Sequence, residues 1–196
     1  MSFAETPTLT HARVTLESLT HAHAQDLAVA SGQDNLWQSA WYTTIPAPDA
    51  VSTEIDRRLS LQQAGQMAPW AIIDRATGAA VGMTTYMNID ERNRRLEIGS
   101  TWMGTAAHGT GINPAAKLLL LTRAFEDLNC IAVEFRTHAS NAQSRAAIAK
   151  LGATQDGILR HHQLWRDGSI RDTVVFSILD SEWPEVRAGL ATRAAN

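Results

Sequence analysis

The chain has 196 residues, 44% hydrophobic and 19% charged, with a formal net charge of -3. That composition fills one sizeable core, and with acids and bases interspersed it leaves no concentrated basic surface for a nucleic-acid backbone. Cys130 is the only cysteine and the longest apolar run, Leu118 to Leu121, is far too short for a bilayer, so the expectation is a soluble, cytoplasmic protein with no direct nucleic-acid or membrane partner.

In chain order, residues 1–10 read as a loose leader and 11–196 as a single domain. Val14 to Leu19 alternates apolar and polar and predicts a first strand. Thr20 caps a helix that ends at Gly32. The stretch Gln33 to Ala50 is irregular and holds Trp37, Trp41 and Tyr42. A second helix is predicted from Val51 to Gln63. Trp70–Asp74 and Ala80–Met87 form a hairpin around Thr77-Gly78, and Arg95 to Met103 is the next strand. A helix follows over about 113–128, then a strand over 131–137, a helix over 143–151 stopped by Gly152, and a hairpin closed by a type I′ turn at Asp167-Gly168. A terminal helix begins near Ser181. Hairpins therefore flank one strand–helix–strand crossover, whose strands 95–103 and 131–137 must run parallel; the fold class is α+β, or mixed α/β.

The run from Leu96 to Leu121 carries the most chemistry. A strand enters a turn with Gly109 and Gly111, and a long helix leaves it with Pro114 in its first turn. Glycine admits a ligand to bare backbone, and a helix start offers unpaired N–H groups and positive dipole, so the context favours a phosphate or pyrophosphate over a plain capped loop. Pro114 costs no internal bond there, which assigns the free donors to His108–Asn113. The turn lacks the GxxxxGK[ST] pattern and the third glycine of GxGxxG. A second cluster, Asn141-Ala-Gln-Ser144, starts the next helix and should face the same cleft, with Ser140 or Asn141 as cap.

These segments (EIGSTWMG, HGTGINPAAKLLLLTRAFEDL, NAQSRAAIAKLGA with GILRHH, and RDGSIRDTVVFSILDSEW) occur in order over roughly residues 70–185. Together they resemble the GNAT superfamily of N-acetyltransferases, in its RimJ/RimL-like, ribosomal-protein N-terminal acetyltransferase branch. The resemblance implies a three-layer α/β/α fold whose mostly antiparallel sheet splays at the parallel pair. It implies transfer of the acetyl group of acetyl-CoA to a primary amine, on a protein N-terminus or a small molecule. The other reading is a non-catalytic acyl-CoA-binding sensor or scaffold. Relatives often dimerise, so a homodimer is also expected.

Carried over residue by residue, the resemblance implies a coenzyme A pyrophosphate held by His108, Gly109, Thr110, Gly111, Ile112 and Asn113. Trp102, Met103 and Gly104 would meet the pantetheine arm, with a backbone N–H near Met103 receiving the acetyl carbonyl. Asn141 matches the asparagine that binds that arm, and Ser144 a residue near the sulfur. The family's Gln or Arg three residues before the first glycine is Ala106 here, and the tyrosine expected in the fourth helix, the one that Asn141 starts, is missing; Ser144 is the candidate substitute acid, with water or a plain capping role for Ser144 as the alternatives. Glu97 interrupts the apolar alternation of Leu96 and Ile98, which offers two roles, general base or a structural ion pair. Trp37, Trp41 and Tyr42 would wall the acceptor pocket or serve as core. His21 and His23 are expected in solvent rather than on a metal. At most one of His161 and His162 can face the cleft, and Cys130 is a packing residue.

Overall fold

The computed structural model describes residues 2–39, 44–165 and 167–195. Eight strands form one sheet in the order β1-β2-β3-β4-β5-β6-β8-β7. They are β1 (Leu9–Thr10), β2 (Val14–Ser18), β3 (Met67–Asp74), β4 (Ala80–Asp90), β5 (Arg95–Met103), β6 (Ala132–His138), β7 (Thr154–Leu164) and β8 (Ile170–Leu179). All neighbours are antiparallel except β5 and β6. The crossover between those two is α4 (Ile112–Thr122), prolonged by a π turn over Arg123–Asp127.

Two apolar layers sandwich the sheet. On one face Leu27, Val51 and Ile55 of α1 (Ala24–Gly32) and α3 (Val51–Gln63) pack on Ala71, Ile73, Met83 and Trp102. On the other, α4, α5 (Ala142–Leu151) and α6 (Trp183–Ala195) close over Trp70, Tyr86, Leu96, Ile98, Val133 and Phe135. A short helix, α2 (Leu36–Ser39), follows α1. The three-layer mixed fold is the one the resemblance implied, and the parallel strands 95–103 and 131–137 are present.

Two expectations change. The segment before residue 11 is not a loose leader: Phe3 is buried in the larger core, and its neighbours' carbonyls accept from the Arg123 guanidinium and the Trp70 indole. Those donors lie inside the protein, so the segment is held by the groups it satisfies. The β7–β8 reversal is also not a two-residue type I′ turn. Trp165 and Ser169 pair across the loop, and of Asp167 and Gly168 only the glycine, at φ +81°, takes the left-handed conformation, whereas a type I′ turn needs it at both central residues.

Candidate active site

The site begins where two strands part. β5 and β6 pair only over Arg95–Glu97 and Ala132–Glu134; beyond that point β6, paired with β8 along its whole length, parts from β5 and leaves one edge of β5 open. A cleft of about 670 Å³ occupies the gap, lined by residues of β5, β6, α4, α5 and the β7–β8 hairpin.

A bulge re-aims β5 just there. Two residues, Ser100 and Thr101, stand opposite Thr84 alone, and Ser100 sits at φ +46°. An extra residue in a strand reverses the side-chain phase after it. Before the bulge, Leu96 and Ile98 face α4 and Glu97 faces α3; after it, Thr101 and Met103 face α4 while Trp102 packs with α1 and α3. Arg58 of α3, fully buried, braces this turn. It donates to Glu54 at 2.7 Å, to Thr85 Oγ1 at 2.6 Å and to the Ser100 carbonyl at 3.1 Å.

On the α3 face, Glu97 is 5% exposed and lines the cleft. Burial raises its pKa, against a 2.7 Å hydrogen bond donated by Asn88 and the nearby Arg136, whose Nε lies 3.5 Å away. Arg136 makes its closer contact, 2.8 Å, with Glu134. Gly99 makes room for the carboxylate, since a Cβ there would come within 2.7 Å of Glu97 Oε1. Arg171 stacks on Trp165 at 4.8 Å along the same wall, and His162 joins it by bonding Thr173 at 3.0 Å.

The glycine turn lies at the other end of β5. Gly109 (φ +75°) and Gly111 (φ +81°) both need the left-handed region, and Gly111 is the N-cap of α4. Arg13 buttresses it, giving Nη1 to the Thr110 carbonyl and its other nitrogens to the Ala194 and Ala195 carbonyls at the end of α6. His108 departs from its expected place among the backbone donors. Its N–H closes the short helical turn onto the Thr105 carbonyl at 3.0 Å, and its ring meets the Met103 carbonyl at 3.1 Å. The N–H cradle therefore runs from Gly109 to Asn113. Ala106 offers no side-chain contact; its N–H is taken by Gln33.

Between these ends the open edge carries groups in search of partners. The Gly104 N–H bonds the Val81 carbonyl on β4, so by strand alternation the Met103 N–H points to the side β6 has vacated. Trp102 Nε1 and Asn113 Oδ1 are buried, line the cleft and have no hydrogen-bond partner. Asn141, not Ser140, caps α5, its Oδ1 accepting the Ser144 N–H at 2.9 Å; its amide nitrogen is left to donate to a ligand.

Of the site residues named from the sequence, Glu97, Trp102, Met103, His108, Asn113, Asn141 and Ser144 line the cleft, and Gly104, Gly109, Thr110, Gly111 and Ile112 do not. Trp37 packs against the α1–α3 core instead, while its neighbour Leu36 lines the cleft; Trp41 and Tyr42 lie outside the described residues. His21 and His23 pair with Asp56 and Glu17, and Cys130 is buried, its thiol pushed up to about 12. Sequence reasoning missed Arg13, Arg58, Gly99 and Lys117. For Lys117 a signal existed: it interrupts the apolar stretch AAKLLLL four residues after Asn113.

An opened sheet edge above a glycine turn, with a buried carboxylate on the far face, is the arrangement that the resemblance to the N-acetyltransferases implies. A family profile described as an acetyltransferase (GNAT) domain matches residues 13–154. The Bacillus subtilis protein YdaF, provisionally named a ribosomal N-acetyltransferase, is 36% identical over 106 residues, 54% of this chain and 57% of that protein. The chain thus aligns with little more than half of that relative's length. A GCN5-related N-acetyltransferase from Brucella melitensis superposes with a TM-score of 0.88 at 30% identity, covering 96% of this chain and 85% of the other. Mycobacterium smegmatis RimJ, solved with CoA-disulfide, gives 0.79 at 23% identity over 98% and 97%, a likeness of fold alone. The chain belongs to the GNAT acetyltransferase family. No helix among the described residues is long and apolar enough to cross a membrane.

Proposed function

We propose that the protein transfers the acetyl group of acetyl-CoA to a primary amine by direct attack on the thioester. The observation that carries this is the open edge of β5, where the Met103 N–H and two partnerless polar atoms, Trp102 Nε1 and Asn113 Oδ1, line one cleft. A pantetheine arm supplies amide donors and acceptors of the kind those atoms lack. Gly109, Thr110, Gly111, Ile112 and Asn113 would hold the pyrophosphate, by backbone N–H groups and the helix dipole. Trp102, Met103 and Gly104 would hold the arm, with Asn141 and Ser144 closing it from α5.

Acetyl-CoA supplies an activated carbonyl. The Met103 N–H stands ready for the oxygen on which charge develops, a placement that is commonly the largest catalytic contribution. The amine enters from the α3 face, where Glu97 is held ready to take its proton; a buried carboxylate with a raised pKa is the better base near neutrality. A protein N-terminus is the favoured acceptor, since the curated relative is named for ribosomal substrates.

The test is thiol release from acetyl-CoA over a panel of N-terminal peptides and small amines. Release with at least one acceptor class is expected. Tight coenzyme A binding with no release on any acceptor would overturn the proposal in favour of an acyl-CoA sensor.

A further inference from the structure

One cleft residue has no part in that scheme. Lys117, on the second turn of α4, is 7% exposed and lines the cleft on the face opposite Glu97. Its Nζ donates to Thr101 Oγ1 at 2.9 Å, one residue past the bulge, and lies 6.0 Å from the centre of the Phe135 ring of β6. The charged and titratable groups on the strands β5 and β6 and on α5 are Arg95, Glu97, Glu134, Arg136, His138, Arg145 and Lys150. Arg95 and Arg136 pair with Glu134, Arg136 also approaches Glu97, and Arg145 bonds the Ala139 carbonyl. Desolvation alone acts on the ammonium. A lysine so placed lacks the counter-ion that buried charges ordinarily have, which leaves it available to a charge that forms only during reaction.

We propose that Lys117 is the general acid that protonates the coenzyme A sulfur as the thioester breaks. The inference rests on the acetyl-transfer reading. With the pyrophosphate at 109–113 and the arm running back along β5 past Met103, the thioester comes to the bulge, where Thr101 presents the Lys117 ammonium. The step balances. The amine nitrogen bonds the carbonyl carbon, the carbon–sulfur bond breaks with its electron pair going to sulfur, and a proton passes from Lys117 Nζ to sulfur. The proton lost by the amine goes to Glu97, and between turnovers Glu97 gives that proton to solvent while solvent returns one to Lys117. Burial assists twice. It lowers the lysine pKa to about 7, making it a competent donor at neutral pH, and the neutral amine and thiol that result suit a dry site better than the ions do. It also fills the role left open by the absent tyrosine, from α4 rather than α5.

The test uses Lys117→Met and Lys117→Arg beside the wild type. For Lys117→Met, kcat should fall about 100-fold with the KM for acetyl-CoA unchanged within about threefold, and the alkaline limb near pH 7 should vanish from the rate profile. Lys117→Arg keeps the charge but does not give up a proton, so it should stay slow; full recovery with arginine would overturn proton donation. A second readout is independent of turnover. The thiol of bound coenzyme A, followed by thiolate absorbance against a desulfo-coenzyme A blank, should titrate at lower pH in the wild type than in Lys117→Met. Identical titration in both, or a wild-type rate profile retained by Lys117→Met, would overturn the proposal while leaving acetyl transfer standing. A wild type that releases no thiol with any amine would instead remove the acetyl-transfer reading itself.

Discussion

Replacing Lys117 with methionine should stabilise the fold, by an amount set by pH. Burial moves the ammonium from 10.5 to about 7. Above 10.5 the side chain is neutral in the native and unfolded states, and burial costs nothing through this group. Between about 7 and 10.5 the unfolded chain binds the proton and the native protein does not, so wild-type stability rises with pH across that window. Below about 7 both states are protonated and the cost is at its ceiling. At 1.36 kcal/mol per unit the penalty is about 4.5 kcal/mol at pH 6.5 and about 2 kcal/mol at pH 9, as orders of magnitude. Methionine removes it while forfeiting the Thr101 hydrogen bond, about 1 kcal/mol at any pH. Urea unfolding of both proteins at pH 6.5, 7.5 and 9 measures the difference, in which titrations common to the two cancel. The variant's advantage should shrink by about 2.5 kcal/mol between the extremes. An advantage that is flat with pH would refute the reasoning, because it would mean that Lys117 keeps its ordinary hydration.

Three further outcomes are expected. Glu97→Gln should lower kcat about 100-fold with acetyl-CoA affinity unchanged by calorimetry, and should remove an acidic limb that burial places above the usual carboxylate range; unaltered turnover would dismiss Glu97 as the base. Gly111→Ala forces a side chain into the left-handed region and brings its Cβ 3.2 Å from Arg13 Cδ. It should cost about 1–2 kcal/mol and weaken coenzyme A binding at least about tenfold, so wild-type affinity in a titration would contradict the cradle. Arg58→Ala removes one of the two arginines on Glu54, which keeps Arg57, together with the brace on Thr85 and Ser100; a loss of about 2–4 kcal/mol in chemical unfolding is expected from the buried oxygens left unpaired and the space left behind, and a loss below about 1 kcal/mol would show that the bulge holds itself.

The fold was legible because its signals are local. Strand β5 has the bounds predicted for it, α3 likewise, and Gly152 ends α5 at φ +104° as a left-handed stop should. Glu97 was legible too, since a lone acid between Leu96 and Ile98 breaks a period-two pattern that only burial explains. What escaped depends on contacts far apart in sequence. Nothing near Arg13 shows that it will meet carbonyls about a hundred and about a hundred and eighty residues away. Nothing near Phe3 shows that residues 2–7 will supply carbonyls to Arg123 and Trp70. Gly99 looks like any strand glycine until the Glu97 carboxylate occupies the space where its Cβ would be.

The Ser100 bulge lies deeper still, and the site depends on it. In an unbroken strand, Thr101 and Met103 would share the face of Glu97 and Trp102 would turn toward α4. Base, carbonyl donor and lysine would then not be divided between the two sides of the sheet. With one extra residue, Glu97 stays on the α3 face, where an amine can arrive, while Thr101 brings Lys117 to the α4 face, where the coenzyme arm lies in the proposed complex. A proton can then leave the amine on one side as another reaches sulfur on the other, and the two groups need not compete for the same proton. Both groups titrate abnormally for the same reason, burial, but in opposite senses: the acid is raised and the lysine lowered. Convergence of two such pKa values toward neutrality is what an acid–base pair working at one pH requires. The strand's backbone, rather than either side chain alone, is therefore the element that makes the pair.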